Sequence, residues 1–153
     1  MKKFLFILCV LTGITSCHIV TPEEPVQETE KAYEAYGLLT IPSSGFTKEN
    51  VRVKIIMKDN SLLDLYMFEV KFATAMPVTI DMLVSDVTYT EETNVIHFSG
   101  DGIIPTAGGK PYEKYTIHDL EGRITNDSII LSNYYGETLS TYEGKISAKT
   151  NNN

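Results

Sequence analysis

Val51-Arg52-Val53-Lys54-Ile55-Ile56-Met57-Lys58-Asp59-Asn60-Ser61-Leu62 is the stretch that decides the fold. Val51, Val53, Ile55 and Met57 fall on one side of an extended chain, and Arg52, Lys54 and Lys58 fall on the other. That is the period-two alternation of a half-buried strand. Lys58-Asp59-Asn60-Ser61 then brings hairpin-type turn chemistry, because short polar side chains bond back to their own backbone. Residues 62–72 resume the extended pattern, with Tyr66, Phe68, Val70 and Phe72 on one face and Glu69 and Lys71 on the other.

The same signal repeats outward in both directions. Upstream, Tyr36, Leu38 and Thr40 alternate with Gly37, Leu39 and Ile41 until Pro42-Ser43-Ser44-Gly45 breaks the run. Downstream, residues 78–89 place Val78, Ile80, Met82 and Val84 on one face, and Glu91-Glu92-Thr93-Asn94 turns the chain into residues 95–99. Gly100-Asp101-Gly102 and Ala107-Gly108-Gly109-Lys110-Pro111 bracket a short Ile103-Ile104. Further strands are expected over residues 115–120, 122–125, 128–135 and 139–148, with a turn at Asn126-Asp127. No helical-period segment of useful length interrupts them. Eight or nine short strands with hairpin-sized links predict an all-β meander closed into an antiparallel barrel, since few links are long enough to cross over.

The 153-residue chain begins differently. Lys2 and Lys3 precede the apolar run Phe4-Leu5-Phe6-Ile7-Leu8-Cys9-Val10-Leu11, and Thr12-Gly13-Ile14-Thr15-Ser16 leads to Cys17. The run is well short of the roughly 20 residues that span a bilayer, so it reads as the core of a signal peptide. In place of an A-x-A-like site, Ile14-Thr15-Ser16-Cys17 resembles the bacterial lipobox. That resemblance implies cleavage before Cys17 and a lipid on its sulfur. Residues 1–16 are thus expected as a lipoprotein signal peptide, 17–34 as lipidated N-terminus and flexible tether, 35–149 as the barrel domain, and 150–153 as a frayed tail. The tether reading rests on Pro22, Pro25 and the four glutamates of HIVTPEEPVQETEK; a short helix over residues 28–36, ended by Gly37, is the alternative for its last part.

Cysteine use agrees. Cys9 leaves with the signal and Cys17 carries lipid, so the mature domain has neither thiol nor disulfide, and thiol catalysis and thiolate metal sites are excluded. Losing Lys2 and Lys3 takes the formal charge from −7 to −9. A net-acidic surface argues against nucleic acid and against anionic lipid headgroups as partners. The residues after Cys17 lack a retention aspartate, so the expected location is an outer-membrane anchor, on its periplasmic face or at the cell surface.

Several short motifs resemble the calycin-like β-barrel lipoproteins of Gram-negative gut anaerobes. They are Phe72-Ala73 with Met76-Pro77-Val78-Thr79-Ile80, the opening Tyr36-Gly37-Leu38-Leu39-Thr40, Ile104-Pro105 with Gly109-Lys110-Pro111-Tyr112, and the closing Tyr142-Glu143-Gly144-Lys145-Ile146. The resemblance covers residues 36–148 and implies an eight-stranded, up-and-down, lipocalin-like barrel on a lipid tether. It supplies no activity. The Gly-x-Trp closing motif of true lipocalins is missing, because the chain has no tryptophan. Pro77 itself fits a strand start, where a residue without an N–H costs no ladder bond.

Catalytic motifs are sparse. His18 lies in the tether, and His97 and His118 read as solvent-facing strand residues without H-x-H or HExxH spacing. Ser44-Gly45 and Ser99-Gly100 are turn residues outside any G-x-S-x-G elbow. Gly108-Gly109-Lys110 reads as a hairpin turn rather than a phosphate loop, and Glu23-Glu24 and Glu91-Glu92 as solvated pairs. No enzyme activity, cofactor or metal is expected. Binding fits better: an eight-stranded barrel is wide enough for its own side chains or for one small ligand. Phe68, Val70, Phe72, Phe98, Tyr115 and Ile117 are the residues expected inside, either as the lining of a site for a small apolar or amphipathic ligand or simply as core. The alternative is a packed barrel that works through its surface as a protein-binding module or inhibitor. Its candidate features are the glycine-rich loop of residues 102–112 and the pair Tyr134-Tyr135, one of which must face outward.

Overall fold

The computed structural model describes residues 31–147. The residues read as signal peptide, Cys17, most of those read as tether and those read as tail lie outside the described residues. Ten strands are present: β1 Ala32–Ile41, β2 Phe46–Lys58, β3 Leu62–Val70, β4 Ile80–Glu92, β5 Val95–Gly100, β6 Thr106–Ala107, β7 Lys110–Pro111, β8 Ile117–Ile124, β9 Ser128–Tyr135 and β10 Thr138–Ile146. One 3₁₀ turn, Glu113–Tyr115, precedes β8.

Eight of these strands close into a ring, β1-β2-β3-β4-β5-β8-β9-β10, with β10 paired back onto β1 and every pairing antiparallel. The expected eight-stranded up-and-down barrel is therefore what the chain forms, and closure leaves the wall without a free edge. The two-residue strands β6 and β7 make a small hairpin inserted between β5 and β8, laid onto the first half of β4 through Met82↔Ala107 and Leu83↔Thr106. Ala32 to Tyr36 are strand, so β1 starts inside the segment read as tether, and the alternative of a short helix there is replaced by pairing with β2 and β10.

Bulges interrupt the period-two pattern at four places, each marked by a non-glycine residue at positive φ: Asn50 (57°), Glu69 (53°), Asp86 (58°) and Asp119 (47°). A bulge adds one residue to one strand, bends it and leaves an N–H outside the ladder. Three of those N–H groups donate to an aspartate on a neighbouring segment: Glu69 to Asp81 (2.7 Å), Asp86 to Asp64 (3.2 Å) and Asp119 to Asp101 (3.2 Å). The Asp119 N–H, aided by His118, holds the Asp101 carboxyl below its ordinary range. Asp101→Ala is expected to speed hydrogen exchange at the Asp119 amide and leave the Leu131 amide unchanged; equal rates at Asp119 in both proteins would refute the role given to Asp101.

The bulge at Glu69 explains one departure from the period-two reading. Leu63, Leu65 and Met67 point inward along β3, and the extra residue lets Val70 rejoin the interior. Counting by twos across Glu69 therefore puts Phe68 on the wrong face. Phe68 lies outside, stacked near Tyr66, with the Arg52 guanidinium 3.8 Å from its ring centre. Val78 likewise precedes β4 and is exposed rather than inward.

The interior is filled from wall to wall. Leu39, Ile41, Val53, Ile55, Leu65 and Leu131 are core, joined by large rings that cross the barrel. Tyr142 donates its hydroxyl to the Val51 carbonyl at 3.1 Å, and Tyr135 reaches Met67 Sδ at 2.8 Å. Burial pushes both hydroxyls above the ordinary tyrosine range. A raised folded-state pKa means that the folded protein holds these protons more tightly than the unfolded chain does. Their contribution is complete below about pH 10, the unfolded value, and is lost as pH rises past it. The urea midpoint is expected to fall between pH 9 and pH 11.5, and to fall less steeply in Tyr135→Phe/Tyr142→Phe; an identical slope would refute the assignment.

Candidate functional site

Glycine makes room for the central rings. Phe98 on β5 stands directly opposite Gly122 on β8, and a Cβ at Gly122 would occupy the space of the Phe98 ring. Tyr142 lies over Gly144 in the same way. Toward the end of the barrel that carries the β3–β4 and β5–β8 connections, rings continue the stack. Phe72 sits 4.5 Å from Tyr135 and 4.9 Å from Tyr115, and Tyr112 sits 4.9 Å from Tyr115, centroid to centroid. The connection above them is tied down by paired backbone bonds between Ile103 and Ile117 (3.1 and 2.7 Å) and by Tyr112 N–H to the Pro105 carbonyl (2.8 Å). This upper end is plugged.

Of the residues expected inside, Val70, Phe98 and Ile117 are buried core. Phe72 is buried in the upper plug with Tyr115 half-buried against it, and Phe68 is outside. The five inside pack against one another, other core side chains and glycines. Two polar side chains share this interior. Asn133 and Ser140 stand opposite each other in the β9–β10 register, buried, and neither has a hydrogen-bond partner among the described residues.

Open space lies at the other end. Tyr33 on β1, Ile96 on β5, Ile124 on β8 and Ile146 on β10 form the floor of a cup of about 760 Å³ where the chain enters the barrel. The four floor residues are core or packed against it. Asn94, Thr125, Asn126 and Ser147 contribute to a polar rim. Lys31 reaches across that rim from the start of β1 to the end of β4, three strands further round the wall, and pairs with Glu91 at 2.9 Å. Its ammonium stands 5.7 Å from the centre of the Tyr33 ring, and its carbonyl accepts the Met57 N–H at 2.9 Å, which fixes the chain at the rim. An apolar floor with a few convergent polar groups is the usual make-up of a small-molecule site.

A second, shallower groove of about 830 Å³ runs along the outer wall over β8, β9, β10 and β1, where Tyr36 and Leu38 are exposed beside Ile130, Arg123 and Glu143. His97 and His118 are both exposed, as expected for strand residues facing water. His97 stands beside Arg123 in the β5–β8 register, while His118 Nδ1 is 3.2 Å from Asp101 Oδ1. The two do not share a site, and no group of three or more potential metal ligands occurs among the described residues. Of the tyrosine pair, Tyr134 faces out and Tyr135 in.

Sequence reasoning missed the cup. Its floor residues sit at strand ends, where alternation no longer says what a side chain will meet. Glu91 reads as a solvated turn carboxylate until closure of the ring brings Lys31 to it. The chain matches no protein-family model, no curated protein and no solved structure.

Proposed function

We propose that this chain is a lipid-anchored envelope lipoprotein, of the calycin-like kind its motifs resemble, whose closed barrel holds a small apolar or amphipathic ligand without catalysing a reaction on it. The cup carries this reading. It has an apolar floor, a polar rim and the volume of a small-molecule site, whereas the central barrel is occupied by Phe98, Tyr135 and Tyr142. The binding residues are accordingly Tyr33, Ile96, Ile124 and Ile146 rather than the ring of central side chains. Support for the anchor comes from Lys2, Lys3, the apolar run and Ile14-Thr15-Ser16-Cys17. Lys31, at the rim, is the first described residue after the segment that leads from Cys17.

Native mass spectrometry of the mature chain, residues 17–153 with Cys17→Ser, tests the binding. Produced in a bacterial envelope and purified without detergent, it is expected to carry a reproducible mass excess that vanishes on denaturation. A bare protein mass, with no uptake of added single-chain amphiphiles, would overturn the reading.

One observation favours a second reading, action through the surface. The connection over residues 102–112 is ordered by the β6–β7 hairpin and the pairing of β6 to β4, and is rimmed by Tyr112 and Tyr115, with Ile104 exposed within it. An ordered, glycine-rich loop held on a rigid wall is a common place for a protein contact. A specific partner captured by the mature chain, and lost on Ile104→Asp, would support that reading.

A further inference from the structure

We propose that the cup selects amphiphiles with an anionic head group, and that Lys31 receives that head by exchanging it for Glu91. The inference rests on the reading of the cup as a ligand site and names the ligand class.

Four charged side chains border the cup: Lys31, Glu34, Lys54 and Glu91. Only one of them is seen to reach over the apolar floor. The Lys31 ammonium stands near the Tyr33 ring, so it is the charge that a ligand's head would meet once its chain lay on Ile96, Ile124 and Ile146. Glu34 accepts a hydrogen bond from the Tyr36 hydroxyl at 2.9 Å, and Tyr36 lies on the outer wall. Lys54 borders the cup and has no ion pair among the described residues. Lys54 stands opposite Glu34 in the β1–β2 register, between the inward Val53 and Ile55, and so shares the outer wall with it; Lys31 is the ammonium that the described residues bring to the head-group end of the site.

The Lys31–Glu91 pair is suited to exchange. Its side chains are 53% and 55% exposed, and a pair so open to water adds little to stability. Breaking it costs little, and a carboxylate, sulfate or phosphate on the ligand replaces Glu91 at the same ammonium. Glu91, released, faces water at the end of β4. Until a ligand arrives the pair lies across the rim, and the hydrogen bond it donates to Glu91, with Tyr33 beside it, holds the Lys31 ammonium above the ordinary lysine range, so it stays charged. A cationic amphiphile gains nothing from this arrangement, because its head would lie beside Lys31.

Isothermal titration calorimetry on the mature chain (Cys17→Ser background) with three ligands of equal chain length tests the idea: laurate, 1-monolauroylglycerol and dodecyltrimethylammonium. Laurate is expected to bind tightest. Lys31→Gln should weaken laurate about three- to fivefold, the range of an exposed ion pair, and Glu91→Gln should strengthen it by a similar factor, because the competing carboxylate is gone. Both variants should move monolauroylglycerol less than they move laurate. If laurate and the monoglyceride respond alike to both substitutions, or the cation binds best, the head-group inference fails while the cup stands as a ligand site. If none of the three binds, the cup reading fails and this inference with it.

Discussion

Phe98→Ala is expected to lower the stability of the domain by about 3–5 kcal/mol, the usual cost of truncating a buried phenylalanine. Phe98 is 2% exposed and its ring fills the space that Gly122 leaves open. Removing it opens a cavity in the middle of the wall, where strands β5 and β8 are held in register by their ladder and cannot collapse inward. The usual margin of a domain this size is about 5–15 kcal/mol, so the variant should lose a large part of its total. Gly122→Val on its own should also destabilise, because the new side chain overlaps the Phe98 ring. In the Phe98→Ala background the valine instead occupies vacated volume. Urea midpoints for the four proteins should therefore give a favourable coupling within about 0.5–3 kcal/mol, as for residues in direct contact. Strictly additive losses would mean that the ring and the glycine do not share that space.

Cys17→Ser is expected to abolish incorporation of labelled palmitate and to leave the precursor uncut. The prediction follows from the lipobox-like Ile14-Thr15-Ser16-Cys17: the thiolate is the nucleophile that takes the lipid, and serine at that position does not replace it. Wild-type protein should partition into detergent and show an intact mass that starts at Cys17 plus its acyl groups. More than one acyl chain is needed for stable attachment, since a single myristoyl chain binds only marginally. Palmitate labelling that survives Cys17→Ser would place the lipid elsewhere and overturn the anchored reading. Because the barrel begins at Ala32, the substitution should leave its urea midpoint unchanged, which separates a fault of attachment from a fault of folding.

How far the fold was legible depends on where the chain keeps strict alternation. Val51, Val53, Ile55 and Met57 are all buried, as the period-two reading requires, because β2 runs unbroken from Val51 to its turn at Asp59. The turn at Asn126-Asp127 and the break at Pro42-Ser43-Ser44-Gly45 likewise lie where the strands end. Glu69 marks the limit. Nothing in its identity announces a positive φ, and the bulge it makes moved Phe68 from the expected interior to the outer wall while keeping Val70 and Phe72 inside.

By itself, then, the sequence determined most of the wall strands, their up-and-down order and the closed antiparallel wall, although residues 115–120 and 122–125, read as two strands, are the single strand β8 behind a 3₁₀ turn. Hydrophobic periodicity and turn chemistry are local, and short links leave few ways to connect the strands. The tertiary structure alone decided which space is left open. Whether a barrel's centre is filled depends on pairs such as Phe98 with Gly122 and Tyr142 with Gly144, which come together through register and glycine placement rather than through any local pattern. The cup has the same origin: Lys31 and Glu91 lie far apart along the chain and meet only because the ring closes.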